Sequence, residues 1–244
     1  MRPARLLIAI ATALLIALPL VGQSELPFDG AVHSGAGAVS AVSAVSAVDP
    51  PTSSLRVHRA DFKGAKPSGD VRHIADWIAD SGDNGILDFV VVDKKFAAVY
   101  VFGSDARLRA SSPILLGSAL GDMSAPGIGD RPLSQVLPEE RTTPAGRFMG
   151  ERGRNARNED VVWVDYDAAV SMHRVLTTNP AERRLERLAT PTVDDNRISF
   201  GCINVPVAFY ESSIRPLFAK TRALIYVLPD SLTPQQVFGS YAVP

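Results

Sequence analysis

Residues 86–117, "ILDFVVVDKKFAAVYVFGSDARLRASSPILLG", hold three β-rich runs in close succession. Val, Ile, Phe and Tyr at this density favour extended backbone, because branched and aromatic side chains pack well on a pleated surface. The first run, residues 86–93, breaks at Asp93-Lys94-Lys95. The second covers 96–102 and ends in Gly103-Ser104-Asp105, and the third ends at Gly117. Turns this short join antiparallel neighbours, since a parallel return needs a crossover of a dozen or more residues. The segment therefore predicts a β-meander, and the rest of the fold has to form around it. Further strands are expected at "GRFMGE" (146–151), within "DVVWVDYDAAVSMHRV" (160–175) and at "ALIYVLP" (223–229).

Two short helices are readable. In "DVRHIADWIADSGDNG" (70–85), Asp70 can cap the start, Val71, Ile74, Trp77 and Ile78 share a face, and Gly82 ends the helix. In "TNPAERRLERL" (178–188), Asn179 is the expected cap, Pro180 stands in the first turn and Glu182 is placed to reach back. Leu185 and Leu188 give that segment a narrow apolar stripe, which predicts an amphipathic insertion whose arginines face solvent; a basic patch facing a substrate is the alternative. Between the meander and the later strands lie residues 118–144, rich in Gly and Pro and without period. An aperiodic stretch of that length in one domain is expected to be an ordered loop that covers or binds something.

The N-terminus has a different character. Arg2 and Arg5 precede the apolar run "LLIAIATALLIALPLV", which is short for a membrane span and is followed by Gly22, Gln23 and Ser24. Residues 1–24 read as an export signal cut between Gly22 and Glu25, with an uncleaved anchor as the alternative. No cysteine follows the run, which excludes a lipid-modified N-terminus. Residues 25–54 carry an Ala-Val-Ser repeat and then Pro50 and Pro51; a period of three fits neither helix nor strand and predicts a linker. The folded domain is expected over residues 55–244. No stable membrane span is expected after cleavage. With 25 Lys and Arg against 26 Asp and Glu the chain lacks the positive field that gathers nucleic acid, so no nucleic-acid partner is expected.

Cys202, in "ISFGCINVP" (198–206), is the single cysteine. In an exported chain a lone cysteine has no internal partner, so it is a buried small hydrophobe, half of an intermolecular bridge or a reactive thiol. Asn204 or Val205 as cap and Pro206 in the first turn predict a helix just after it, whose N-terminal dipole would lower the thiol pKa. Gly201 permits close approach of a substrate, and the N–H groups of Gly201 and Cys202 are candidate oxyanion donors. A thiol nucleophile needs a base. Of the four histidines, His33 lies in the linker, His58 at the domain edge and His73 on the first helix, off its apolar stripe. His173, at the end of a strand-like run, is the remaining candidate, although a surface histidine has the same appearance. No second histidine stands at metal-binding spacing.

Four segments in order, the meander with its "VVVDKKFAAVYVF", then "TTPAGRF", the Met172-His173 pair and "SFGCIN", resemble the L,D-transpeptidases, cysteine enzymes of the bacterial cell wall. The likeness runs over roughly residues 86–228. It implies a nucleophile at Cys202, a base at His173, and the motif serine and glycine at Ser199 and Gly201. Phe200 stands where the family motif has histidine, and Arg174 stands where the family has a small residue, which leaves a backbone carbonyl to orient the imidazole. The resemblance implies a mainly β fold, a mostly antiparallel sandwich or open barrel with a few peripheral helices, and acyl transfer on peptidoglycan stem peptides through a thioester, with no metal or organic cofactor; together with the export signal it implies a place in the periplasm or cell envelope. Ser199, Arg197, Arg174 and Asn204 are candidates for holding the stem, with a salt bridge to Asp194 or Asp195 the alternative for Arg197. A hydrolase on the same bond, an L,D-carboxypeptidase, and a catalytically silent wall-binding module are the competing readings.

Overall fold

The computed structural model describes residues 57–220 and 222–244. The expected export signal and linker, and His33, lie outside the described residues. The chain enters through helix α1 (Gly69–Ser81) and then forms β1 (Phe89–Asp93), β2 (Ala98–Phe102), β3 (Leu108–Pro113) and β4 (Leu116–Gly117). The long loop follows, then β5 (Gly146–Arg154), β6 (Asp160–Asp165), β7 (Val170–Arg174), helix α2 (Arg184–Ala189), β8 (Arg197–Ser199) and β9 (Ile203–Val205). Two short helices, α3 (Val207–Phe209) and α4 (Arg215–Lys220), flank a π turn over Tyr210–Ile214; β10 (Ala223–Val227) and α5 (Pro234–Phe238) complete the domain.

Eight strands make one sheet in the order β3-β2-β1-β10-β5-β6-β7-β9, and β4 pairs with β8. The meander is as expected, with Phe89 opposite Phe102 and Asp93 opposite Ala98. The mainly β, mostly antiparallel open barrel that the resemblance implies is what forms; most neighbours are antiparallel, while β1 runs parallel to β10, β7 to β9 and β4 to β8. The last strand is inserted between β1 and β5, so both β1 and β10 are buried along their whole length. A strand covered on both faces reads as a continuous apolar run, which is what "FVVVD" and "ALIYV" are. The sheet curls until Leu115, just past β3, bridges Asn204 in β9, so the eight strands come close to a closed barrel.

Strict alternation along the central strands sorts their side chains into two cores. Val90, Val92, Ile225 and Val227 point into the barrel, where Val99, Val162, Met172, Ile203, Tyr210 and Ile214 meet them. Phe89, Val91, Leu224 and Tyr226 point the other way, onto α1, which contributes Val71, Ile74, Trp77 and Ile78. Burial of each such side chain is worth about 1.5–3 kcal/mol, so the α1 face alone fixes that helix to the sheet. Gly82 ends α1 in the left-handed conformation as expected, but the N-cap is Ser68, whose Oγ accepts from Val71 N at 3.2 Å. Asp70 sits in the first turn and pairs instead with Lys95.

The 178–188 segment also differs from expectation. Asn179 caps only a single 3-10 turn, Pro180–Glu182; Arg183 then takes φ +49° and α2 starts afresh. Leu188 is buried while Leu185 is exposed. Arg184 and Arg187 turn inward, bonding Asn204 Oδ1 and Asp195 O, so the arginines do not all face solvent.

Residues 118–144 form an ordered loop with three 3-10 turns. A buried ion cluster ties it down. Lys94, with no exposed side-chain surface, donates to Gly121 O (2.6 Å), Asp122 Oδ1 (2.9 Å) and Thr143 O (2.8 Å) and lies 3.3 Å from Asp230. Asp122 in turn accepts from the N–H groups of Asp230, Ser231 and Leu232. The turn lysine of the meander is thus the anchor of the loop.

Candidate active site

β7 and β9 lie side by side with Met172 opposite Ile203 and His173 opposite Asn204. Cys202, immediately before β9, therefore comes level with Ser171, near the start of β7. Period-two alternation places Ser171 and His173 on the same face of β7, and both meet the sulfur. Ser171 Oγ lies 3.7 Å from Cys202 Sγ, and Ala169 O lies 3.8 Å from it. Ser171 was not among the sequence candidates; the spacing of two from His173 was the signal for it.

The imidazole is oriented by its Nδ1, 2.7 Å from Arg174 O. A carbonyl only accepts, so Nδ1 carries the proton and Nε2 is left for the sulfur. The two groups shift each other. Burial pushes the Cys202 thiol up, but the hydrogen bond and charge of His173, with help from Ser171, outweigh it and the thiol pKa ends below its ordinary value. Burial pushes His173 down, while the hydrogen bond and charge of Cys202 and the Arg174 carbonyl push it up, and it ends above its ordinary value. Opposite shifts of this kind favour a thiolate beside an imidazolium.

The helix expected to supply that stabilisation does not. Strand β9 separates Cys202 from α3, whose N-cap is Pro206, so the thiol pKa is lowered by a side chain and not by a helix dipole. Gly201 meets the expectation of an unusual backbone: its φ is +128°, and a Cβ there would stand 2.6 Å from Thr142 O. Its N–H, however, donates to Ser199 Oγ, so of the two expected oxyanion donors the Cys202 N–H is the one left over. Thr143, in the "TTPAGRF" segment, completes the brace; its Oγ1 donates to Gly201 O at 2.8 Å and accepts from Gly117 N.

The four residues expected to hold a substrate are engaged elsewhere. Ser199 is buried and its Oγ donates to Cys202 O at 2.6 Å. Asn204 is fully buried, donates from Nδ2 to Cys202 O and accepts from Arg184. Arg197 pairs with Asp230 at 2.7 Å and bonds Lys94 O, which joins it to the ion cluster; its ion pair is with Asp230 and not with Asp194 or Asp195. Arg174 is fixed by Glu211 and Asp160 and lies over the Tyr210 ring. All four side chains have partners within the protein that brace the site. No group of His, Cys, Asp and Glu suited to a metal occurs among the described residues.

Cys202 is half-buried and opens into a cavity of about 230 Å³. The 118–144 loop forms one wall with Ile128, Leu133 and Val136, and Ala168, Val170 and Phe200 form the other. Phe200, in the position where the resemblance expects histidine, is an apolar wall with the Arg141 guanidinium 4.1 Å over its ring. The 118–144 loop lines the cavity onto which Cys202 opens. No helix among the described residues is long and apolar enough to cross a membrane.

No protein-family model matches the chain. No curated protein matches it either. Solved structures that resemble it include the helical cell shape determining protein Pgp2 from Campylobacter jejuni, at 15% identity over 64% of this chain and 55% of that one, with a TM-score of 0.40. The LD transpeptidase LdtMt1 in complex with imipenem is similar at 16% identity over 58% of each chain, TM-score 0.34. An Enterococcus faecium L,D-transpeptidase is similar at 16% identity over 58% of this chain and 49% of that one, TM-score 0.31. This chain thus spans between half and three-fifths of the length of these proteins.

Proposed function

We propose that this chain is a cysteine acyltransferase of the L,D-transpeptidase kind, acting on peptidoglycan stem peptides in the cell envelope. The observation that carries the reading is the pairing of the single thiol with an oriented imidazole at the base of a loop-covered cavity. A structural cysteine needs neither a partner that ionises it nor an opening to solvent.

In this reading the Cys202 thiolate attacks the carbonyl of a stem-peptide bond, and the Cys202 N–H faces the developing oxyanion. As the tetrahedral intermediate collapses, the C–N bond breaks, and the leaving amine of D-alanine takes the proton held on His173 Nε2. A thioester remains. The amine of a second stem then attacks that carbonyl, His173 accepts its proton, and the C–S bond breaks to release an amide and restore the thiolate. The Nδ1 proton takes no part in the transfer; it stays on the ring, donated to the Arg174 carbonyl throughout.

Intact-mass analysis after exposure to a carbapenem, a thiol-acylating class, tests the nucleophile: one adduct on the wild type and none on Cys202→Ala is the expected result. Incubation with tetrapeptide stems then separates acceptors. Cross-linked dimer supports transfer to an amine, and tripeptide alone identifies a carboxypeptidase. Absence of any adduct from the folded wild-type protein would leave a silent wall-binding module.

A further inference from the structure

Helix α2 lies within the 178–190 segment, and one of its side chains reaches the site from outside the cavity. Arg184 is mostly buried, with 12% of its side chain exposed, and is paired with Glu182. Its Nη1 donates to Asn204 Oδ1 at 2.6 Å. Asn204 is fully buried, and its Nδ2 donates to Cys202 O at 3.2 Å. Ser199 Oγ supplies a second donor to that same carbonyl.

An amide side chain can point either way, but a guanidinium only donates. Arg184 therefore draws the amide oxygen of Asn204 to itself and sends the NH2 group to the Cys202 carbonyl. In the flipped state Oδ1 would face Cys202 O, two acceptors in contact in a buried place, which is costly. We propose that Arg184 is a positioning residue for the thiol: by fixing the direction of the Asn204 amide it holds the Cys202 main chain, and with it the sulfur, against His173. The inference rests on the reading of Cys202 and His173 as a reacting pair.

The charge on Arg184 has a second, separable effect. Around His173 stand Cys202, Arg184 from α2, and Glu159, Asp160 and Arg174, which line a small cavity with the imidazole. Asp160 is paired with Arg152 and Arg174. Arg184 disfavours the imidazolium. Removing its charge therefore raises the pH at which His173 loses its proton.

The test is the rate of iodoacetamide alkylation of Cys202 as a function of pH, followed by intact mass; it needs no substrate. For Arg184→Met the expected result is alkylation near pH 6 slowed roughly tenfold, the scale on which small misplacements act, and the upper limb of the profile moved to higher pH. Arg184→Lys restores both, since it keeps a donor and the charge. A folded Arg184→Met protein with unchanged rate and limb overturns the inference. Should Arg184→Met fail to fold, Asn204→Ala carries the test: it removes the amide donor to the Cys202 carbonyl, slowed alkylation is expected, and an unchanged rate overturns the inference. A wild-type thiol that titrates like free cysteine removes the reacting pair itself, an outcome distinct from failure at Arg184 alone.

Discussion

The domain holds two buried clusters of ionisable groups, and they differ in what is left unsatisfied. Around Lys94, three hydrogen bonds and two carboxylates meet one ammonium, Arg197 neutralises the second carboxylate, and Asp122 closes onto three main-chain N–H groups. Every charge there has its complement inside the protein. Around Cys202 the braces act on the main chain through Ser199, Asn204 and Thr143, while the sulfur itself keeps weak neighbours, one imidazole and an open side. A closed set of partners makes a scaffold, and spare bonding capacity in a rigid surround makes a reactive group.

The sharpest way to break the contrast is at Lys94. Lys94→Met leaves Asp122 and Asp230 buried without their shared cation, and a loss of about 3–5 kcal/mol is expected in urea unfolding, with the 118–144 loop released first. Gly201→Ala comes next, since it imposes a Cβ 2.6 Å from Thr142 O at φ +128°. About 3 kcal/mol of destabilisation is expected, together with slowed alkylation of the neighbouring thiol.

Acid isolates the scaffold from the thiol. Burial pushes the Asp122 carboxyl up, but the N–H groups of Leu232, Asp230 and Ser231 and the Lys94 ammonium outweigh it and bring the pKa from 3.8 down to about 2. A depressed folded-state pKa gives stability that is present above the unfolded value and lost as pH falls from about 4 through about 2. For this group that is about 2 kcal/mol. Urea midpoints at pH 5 and pH 2 measure it, and the fall is expected to be smaller in Asp122→Asn. Smallest in stability is Cys202→Ala, expected within about 1 kcal/mol of the parent because few strong bonds are lost, yet without any carbapenem adduct. A large loss of stability there would make Cys202 part of the scaffold and erase the comparison.

The two clusters were unequally legible in the chain. The meander, the α1 stripe and the pairing of Cys202 with His173 follow from local pattern and from the scarcity of candidates. The insertion of β10 between β1 and β5 does not, because a fully buried strand carries no period that names its neighbours. Asp93-Lys94-Lys95 reads as a solvent-exposed turn, and only the long-range contacts with Asp122, Thr143 and Asp230 bury Lys94. The same blindness explains Ser199, Arg197, Arg174 and Asn204. Polar residues next to a nucleophile invite a substrate role, whereas contacts far along the chain, such as Asp230 for Arg197 and Arg184 for Asn204, engage them within the protein. The helix dipole proposed for the thiol failed for a local reason, since "INV" forms a strand against β7 before Pro206 allows a helix to start.

The direct test of the thiol–imidazole pair is the pH dependence of thiolate absorbance near 240 nm, a signal that a single cysteine makes unambiguous, compared between the wild type and His173→Ala. The account predicts that the wild-type thiol titrates below the ordinary value of about 8.5 and that His173→Ala moves it above the wild-type midpoint. Identical titrations at or above the ordinary value in both proteins would contradict it.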